Sequence, residues 1–266
     1  MRILIDIDGT IAAPNDAAIV KLCNEEWVLG ICEEQLAQCK TLDDFKALPE
    51  VMIRREERGD VTFDYELGWM RFKPRVLMED IALADAVAGV KQLSQIGTVS
   101  YLTARYSTSD VWQQGIVEGT QHWLEERQFV NAHDVRYCHK IEGKLRYLLD
   151  QAKESGERLV LIDDSYARIL EIIASMSDEE RGLLSTTVIL VAKSCRNAPR
   201  CADLRILPLP RWCDVDAIVS LLRREKSMDI EDDPKPEPGE LPNTPPLGGP
   251  QPGELPNTPP EDPKDT

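Results

Sequence analysis

Two aspartates lie close together near the start of the chain, at the end of an apolar run. The segment ILIDIDGT begins at Ile3 and contains Asp6, Asp8 and Gly9. The apolar residues predict a strand, and Gly9 permits a tight turn directly after it. Two carboxylates at this spacing repel each other unless a cation joins them, and oxygen ligands for a hard cation indicate Mg²⁺. The alternative is an Asp-Gly turn in which both aspartates accept hydrogen bonds from neighbouring backbone amides.

A second acidic pair, Asp163 and Asp164, follows the apolar run LVLI at residues 159–162. If that run is a strand parallel to the first, both acidic pairs lie at the same edge of the sheet. Several carboxylates at one edge cannot all be ionised without compensation, so the pattern predicts that a metal ion binds there. One of the two aspartates could instead cap a helix that begins near Ser165, which would leave the other unexplained.

Candidate groups for binding an anion lie between the two acidic pairs. The segment YLTAR places Thr103 and Ala104 at the end of a predicted strand, where a hydroxyl and the amides of a turn can bind a phosphoryl oxygen. An ordinary strand-ending threonine is the alternative. A basic partner is expected from Lys140 or Lys144, which flank Gly143 at the start of a predicted helix. The lysine that does not reach the site is then a surface lysine.

The elements that must position these residues follow from the spacing of the apolar positions. Strands are predicted at residues 3–7, 99–102, 135–138, 159–162 and 187–191, with a sixth short strand at 204–207. Helices are predicted at residues 80–95, 109–127, 143–155 and 215–224. Strands that alternate with helices predict an α/β fold with a doubly wound, Rossmann-like parallel sheet, which binds ligands at the carboxyl ends of its strands.

Residues 14–79 interrupt this alternation, because they contain several amphipathic helical segments and no convincing strand. We expect them to form an α-helical cap inserted after the first strand, so that the catalytic core comprises residues 1–13 and 80–226. Such an insertion lies above the carboxyl edge of the sheet and is suited to act as a lid over a ligand.

The last part of the chain, residues 227–266, has ten acidic and two basic side chains and twelve of the eighteen prolines. The unit PGELPNTPP occurs there twice, at residues 238–246 and 252–260. This segment cannot bury enough apolar surface to offset the entropy of ordering it, so it is predicted to be a disordered acidic tail. A polyproline motif that binds a protein partner is the alternative.

The overall charge restricts the partners. The chain carries a net charge of −16, which argues against binding to nucleic acid or to an anionic membrane, because phosphates attract lysine and arginine. A small anionic substrate needs only a local cationic pocket. Seven cysteines without a CxxC pair, and the lack of an apolar run of about 20 residues, predict a cytoplasmic protein with reduced thiols.

In their order, the motifs resemble those of haloacid dehalogenase (HAD) superfamily phosphatases: DxDGT after the first strand, a strand ending in threonine, a lysine, and a strand ending in DD. The segments YLTAR and LIDDS are most similar to the nucleotidase-like branches, and the insertion after the first motif is similar to a helical cap of this family. The resemblance implies a phosphatase acting on a small soluble phosphate ester, of the nucleotide or sugar phosphate class.

The resemblance also implies roles for the first two aspartates. Asp6 is expected to attack phosphorus and form an aspartyl-phosphate, while Asp8 protonates the leaving oxygen and later activates water. The dehalogenases of the family need no acid at the second position, so Asp8 favours cleavage of a phosphate ester.

Further roles follow from the same resemblance. Thr103, Ala104 and a lysine are expected to hold the phosphoryl group, and Lys144 is preferred to Lys140 because its amino group can point back to the strand edge. The expected Mg²⁺ ligands are Asp6, the carbonyl of Asp8, Asp163 and Asp164.

Two other functions and one residue role are open at this point. A scaffold protein that keeps a phosphatase-like core and acts through its proline-rich tail is one alternative. A phosphatase of polynucleotide ends is another, but it needs a basic groove, and the tail carries only −8 of the −16. Arg105, directly after the phosphate-binding turn, either contacts a substrate or pairs with a carboxylate of the cap.

Overall fold

The protein, a computed structural model, is described at residues 1–197, 199, 201 and 204–231. The strands are β1 (Arg2–Ile5), β2 (Ala12–Ala13), β3 (Ile81–Ala82), β4 (Thr98–Thr103), β5 (Val135–Tyr137), β6 (Leu159–Asp163), β7 (Val188–Lys193) and β8 (Arg205–Leu209). The helices are α1 (Asp16–Trp27), α2 (Glu33–Leu36), α3 (Leu42–Lys46), α4 (Pro49–Arg58), α5 (Asp60–Met70), α6 (Pro74–Leu77), α7 (Ala86–Leu93), α8 (Asp110–Glu126), α9 (Lys140–Ser155), α10 (Tyr166–Ala174), α11 (Asp178–Thr187) and α12 (Val215–Glu231).

Six of the strands form one parallel sheet in the order β5-β4-β1-β6-β7-β8. In its centre, Ile5 of β1 is paired with Tyr101 of β4 and with Ile162 of β6. The first acidic motif therefore leaves the sheet between the ends of two parallel neighbours. The predicted α/β fold with a doubly wound parallel sheet is confirmed.

Strand β1 occupies the centre because its side chains are apolar on both faces. Ile3 and Ile5 belong to one apolar layer together with Val90 of α7. Leu4 belongs to the opposite layer, together with Leu148 of α9. A strand that is buried on both faces is typical of the interior of a parallel sheet with helices on either side.

The inserted helices begin after β2 and end before β3, and these two short strands pair antiparallel. Helices α1–α6 lie between them along the chain, and no described residue in this interval forms a strand. They share an apolar cluster of their own, which includes Trp27, Phe45 and Phe63. These inserted helices, called the cap below, thus have a small core, and their two connections to the sheet lie side by side.

Helix α6 joins the end of the cap to core helix α8. A Cβ added at Gly115 of α8 would lie 2.8 Å from Pro74 Cγ, and one at Gly119 would lie 3.0 Å from Pro74 Cα. The close approach of α6 to α8 therefore depends on the missing side chains at these two glycines. On its other side, Val76 of α6 belongs to the apolar cluster of the cap.

Several element ends differ from those predicted. The helix predicted at residues 80–95 begins only at Ala86, because residues 81–82 pair with β2 as β3. Helix α9 begins at Lys140 rather than at residue 143. Helix α10 begins at Tyr166, where the alternative reading of the second acidic pair had placed a helix start. Helix α11 was not predicted, and it includes Thr187, which the apolar pattern had assigned to a strand.

The C-terminal helix continues further than the predicted core. Helix α12 runs to Glu231, so residues 227–231, predicted as the start of the tail, are helical backbone. The rest of the predicted tail, residues 232–266 with the proline-rich repeat, lies outside the described residues. Among the described helices, none is both long enough and apolar enough to cross a membrane.

Gly89 of α7 makes room for the ring of Trp212. This ring is hydrogen-bonded to the loop after β1. Trp212 Nε1 donates to the carbonyl of Thr10 at 2.7 Å, and a Cβ added at Gly89 would lie 2.5 Å from the ring. We expect Gly89→Ala to lower the free energy of unfolding by about 1–3 kcal/mol, because the buried ring cannot shift without breaking this hydrogen bond. Urea denaturation measures the effect.

Gly182→Ala is the matched control for this substitution. Gly182 is exposed within α11, and apart from its chain neighbours and the backbone of its own helix no atom lies within 4 Å of an added Cβ. Because alanine has the higher helix propensity, G182A should raise the free energy of unfolding by about 0.5–1 kcal/mol. A stabilisation of similar size by G89A would contradict the packing role of Gly89.

Candidate active site

The loop after β1 brings the two acidic pairs together. The amide of Asp6 donates to the carbonyl of Ile162 at the end of β6, at 2.9 Å. The loop turns at Gly9, whose φ of +74° lies in the left-handed region that favours glycine. A Cβ at Gly9 would lie 2.2 Å from Asp164 Oδ2, so this glycine also makes room for the second acidic pair. The hydroxyl of Thr10 accepts a hydrogen bond from the amide of Asp164 at 3.1 Å.

A buried lysine lies between the two pairs. Lys144 Nζ is 2.7 Å from Asp6 Oδ1 and 2.8 Å from Asp163 Oδ2, and all three side chains are at most 6% exposed. Lys144 lies one turn into α9, whereas Lys140, the first residue of that helix, is exposed. Of the two lysines considered from the sequence, the structure brings Lys144 to the acidic residues.

Burial and mutual repulsion govern the ionisation of this group. Burial and the charge of Asp163 raise the pKa of Asp6 to about 8, although Lys144 opposes the shift. Burial, followed by the charge of Asp163, also raises the pKa of Asp164. Burial favours the neutral form of Lys144, but the charges of Asp6 and Asp163 outweigh this and raise its pKa. One lysine thus offsets only part of the repulsion among the acids.

A divalent cation fits the remaining acidic groups. Asp6, Asp163 and Asp164 each offer one carboxylate oxygen, and these oxygens lie within 4.8 Å of one another. Carboxylate oxygens grouped in this way are suited to a hard cation such as Mg²⁺. The carboxylate of Asp8 is not part of this group, because two arginines bind it.

The first of these arginines, Arg105, forms a bidentate ion pair with Asp8. Its Nε donates to Oδ2 at 2.9 Å and its Nη2 to Oδ1 at 3.0 Å. The second, Arg71, lies between α5 and α6 and donates from Nη2 to Oδ1 at 3.0 Å. Burial raises the pKa of Asp8, but Arg105 and then Arg71 outweigh burial and hold that pKa below its usual range. In this arrangement Asp8 is a carboxylate.

Arg105 also has a second acidic partner. Its Nη2 lies 2.6 Å from Asp80 Oδ2, and its Nη1 donates to Thr120 Oγ1 at 3.2 Å. Asp80 directly precedes β3, where the chain returns from the cap, and its carbonyl accepts from Trp123 Nε1 at 2.7 Å. Burial raises the pKa of Asp80 to about 6, although Arg105 opposes the shift. The ion pairs thus join the first motif, the end of β4 and the cap junction.

The sequence left two roles open for Arg105, contact with a substrate or pairing with a cap carboxylate. Its side chain is 0% exposed and pairs with Asp8 of the core motif and with Asp80 at the junction. Arg105 is therefore a partner of Asp8. Sequence reasoning missed Arg71 and Asp80, because their contacts join residues 63 and 25 positions apart and neither residue lies in a recognisable local pattern.

The predicted phosphoryl-binding turn lies at the same edge of the sheet. Ala104 lines a cavity of about 380 Å³. The charged lining of this cavity comprises Asp6, Asp8, Lys144, Asp164 and, from the cap, Arg71. Thr103 is fully buried, and its hydroxyl accepts from the amide of Arg105 at 3.3 Å. The cavity wall is therefore formed by Ala104, with the Thr103 side chain behind it.

Comparisons with known proteins give similar structures but no similar sequence. No family model and no curated protein matches the chain. One similar solved structure is a haloacid dehalogenase-like hydrolase from Xanthomonas campestris, at 15% identity and a TM-score of 0.45, over 85% of this chain and 97% of that one. Another, from Burkholderia xenovorans, is also a haloacid dehalogenase-like hydrolase, at 12% identity and a TM-score of 0.44, over 84% and 97%. A 2-haloacid dehalogenase from Pseudomonas syringae has 13% identity and a TM-score of 0.41, over 83% and 98%.

The Arg105–Asp80 pair gives a stability prediction. Asp80→Ala removes one partner of a fully buried guanidinium and leaves its charge less compensated. We expect a loss of about 3 kcal/mol in the free energy of unfolding, measured by urea denaturation. Asp150→Ala, at an exposed position of α9, is the control and should change it by no more than about 0.5 kcal/mol. Equal effects of the two substitutions would show that the buried pair does not stabilise the fold.

Proposed function

We propose that this protein is a Mg²⁺-dependent phosphomonoesterase that forms an aspartyl-phosphate on Asp6. The observation that supports this most is the buried contact of Lys144 with both Asp6 and Asp163, beside Asp164. A carboxylate nucleophile, a cation for the phosphoryl group and a set of metal ligands then share one site. The motif resemblance implies the same chemistry.

Two steps follow from this assignment. A carboxylate oxygen of Asp6 attacks phosphorus and the bond from phosphorus to the leaving oxygen breaks. Asp8, which first takes up a proton from water when Arg71 releases it, transfers that proton to the leaving oxygen. Water then attacks the phosphorus of the aspartyl-phosphate while Asp8 accepts a proton from it, which regenerates Asp6 and releases inorganic phosphate. Throughout, Lys144 and the backbone amides after β4 offset charge on the phosphoryl oxygens.

Asp6, Asp163, Asp164 and the carbonyl of Asp8 would hold Mg²⁺. The bound ion supplies positive charge that polarises the phosphoryl oxygens and keeps the clustered carboxylates ionised. This charge matters most at Asp6, because the nucleophile must be ionised and burial together with Asp163 raises its pKa to about 8.

Asp8 can face a leaving group once one of its two arginine contacts loosens. Arg105 is enclosed and holds both carboxylate oxygens. Arg71 makes a single hydrogen bond to Oδ1, and its side chain is 34% exposed. Release of Arg71 frees one acceptor position of Oδ1 on the cavity side while the carboxylate stays oriented by Arg105.

The size of the cavity favours a small ester. A volume of about 380 Å³ can accept a compact phosphate ester such as a sugar phosphate or a nucleotide. The acidic composition of the chain, with a net charge of −16, disfavours a polynucleotide substrate. We therefore assign the substrate to the class of small phosphorylated metabolites.

Asp6→Asn tests the proposed function directly. An amide cannot form the aspartyl-phosphate, so hydrolysis of a panel of phosphate monoesters with Mg²⁺ should fall at least about 10³-fold. Asp150→Asn, at an exposed position of α9, should keep the wild-type rate. If the wild-type protein releases no more phosphate from any ester than D6N does, the proposal is wrong.

Metal binding has a readout that is independent of turnover. Because Mg²⁺ is expected to bind the folded protein only, it should raise the melting temperature, with a stabilisation of about 2.7 kcal/mol at a metal concentration 100 times Kd. Asp164→Asn removes one carboxylate of the cluster and should shift the titration to higher Mg²⁺. Asp150→Asn serves again as the control. If the melting temperature of D164N depends on Mg²⁺ as that of the wild-type protein does, Asp164 is not a metal ligand.

A further inference from the structure

Arg71 is the one charged cap residue that lines the active-site cavity in the described part of the chain. It lies in the short segment between α5 and α6, and its side chain is 34% exposed. The charged core residues of the lining are acidic, apart from Lys144. Arg71 is thus the cation that a ligand meets on the cap side of the cavity.

The contact between Arg71 and Asp8 duplicates what the core already provides. Arg105 holds both oxygens of Asp8 and is itself fixed by Asp80. Arg71 adds one hydrogen bond from Nη2, and its guanidinium lies 6.0 Å from the ring of Phe72. A guanidinium has five N–H donors in a planar fork, so most of the binding capacity of Arg71 is available to a ligand.

The position of Arg71 indicates which part of a substrate it meets. Lys144 contacts the nucleophile Asp6 and therefore marks the place of the phosphoryl group. Asp8 marks the leaving oxygen, and Arg71 lies 3.0 Å from Asp8 on the side of the cap. The group that lies beside Arg71 is therefore attached beyond the leaving oxygen, in the alcohol part of the ester.

We propose that Arg71 is a specificity residue that binds a second anionic group, a carboxylate or a phosphate, on the alcohol part of the substrate. The planar fork of arginine matches the two oxygens of such a group. If the alcohol part of the substrate were neutral, it would cover the guanidinium of Arg71 with an uncharged surface. The guanidinium would then lose water without gaining an anionic partner from the substrate, which is unfavourable. This inference rests on the proposed phosphatase function and adds a substrate class to it.

Matched esters test the specificity. Carboxymethyl phosphate and ethylene glycol bisphosphate carry the second anion, and ethyl phosphate lacks it. The wild-type protein with Mg²⁺ should have a higher kcat/KM for at least one of the two esters with a second anion than for ethyl phosphate. Arg71→Gln should lower that preference by about 10- to 100-fold, mainly through KM, because one charge-assisted contact to the substrate is lost. R71Q also removes a contact to Asp8, so the preference is measured as the ratio of kcat/KM for an ester with a second anion to kcat/KM for ethyl phosphate, in which an effect through Asp8 cancels.

Two variants control for indirect effects. Arg71→Lys keeps the charge but loses the fork, so it should retain part of the preference. Arg75→Gln changes an exposed arginine of α6 that pairs with Glu25, and it should leave all three rates unchanged. An equal loss by R71Q on all three esters, or a wild-type protein without preference for either anionic ester, would overturn the inference.

A binding measurement separates this inference from the proposed function. The stable ligands 3-phosphonopropionate and propane-1,3-bisphosphonate carry the second anion, and propylphosphonate does not. In calorimetry with Mg²⁺, at least one of the two ligands with a second anionic group should bind more tightly than propylphosphonate to the wild-type protein, and R71Q should remove the difference. If this holds while no ester is hydrolysed, the phosphatase proposal fails and the anion site at Arg71 stands. Equal binding of all three ligands overturns the anion site, whatever the rates.

Discussion

The site depends on the compensation of charge at the carboxyl edge of a buried sheet. The parallel arrangement of β1 and β6 brings Asp6 and Asp163 next to each other where little water reaches them. Like charges in such a place are unfavourable unless cations separate them. Lys144 does so at 2.7 Å and 2.8 Å, and it can because its helix starts at the same edge. The lysine is therefore a structural requirement of the acidic cluster as well as a candidate for binding phosphate.

The acidic residues fall into two groups with different cations. Asp6, Asp163 and Asp164 surround Lys144 and leave room for a metal ion. Asp8 belongs to the other group, in which the buried Arg105 forms ion pairs with both Asp8 and Asp80. This division assigns the two aspartates of the first motif to different tasks. One lies among the groups that are proposed to bind phosphate and metal, and the other is oriented by the guanidinium of Arg105 away from the proposed metal ligands.

Much of this arrangement could be predicted from the sequence, because it follows from short-range patterns. Apolar runs ending in aspartate identify β1 and β6, and parallel strands end at one edge, which predicts Asp6 and Asp163 at the same edge. That the two strands are direct neighbours is known only from the structure. The same logic cannot find Arg71 or Asp80. Their partners are distant in the chain, and the contacts exist only because α6 packs on α8 and β2 pairs with β3. Which side chains pair across an insertion depends on this packing and not on the local spacing of residues in the sequence.

The same packing explains why a cap residue can act within the core site. Arg71 lies three positions before Pro74, and Pro74 lies against Gly115 and Gly119 of α8. Three residues span at most about 10 Å, so this anchor keeps Arg71 near α8 and the adjoining core. On its other side Arg71 directly follows α5, and the cap as a whole is attached through the β2–β3 pair and its own apolar cluster. A residue that belongs to the cap by sequence is thus held close to a core helix, and this restricted position suits the proposed role of Arg71 in selecting substrates.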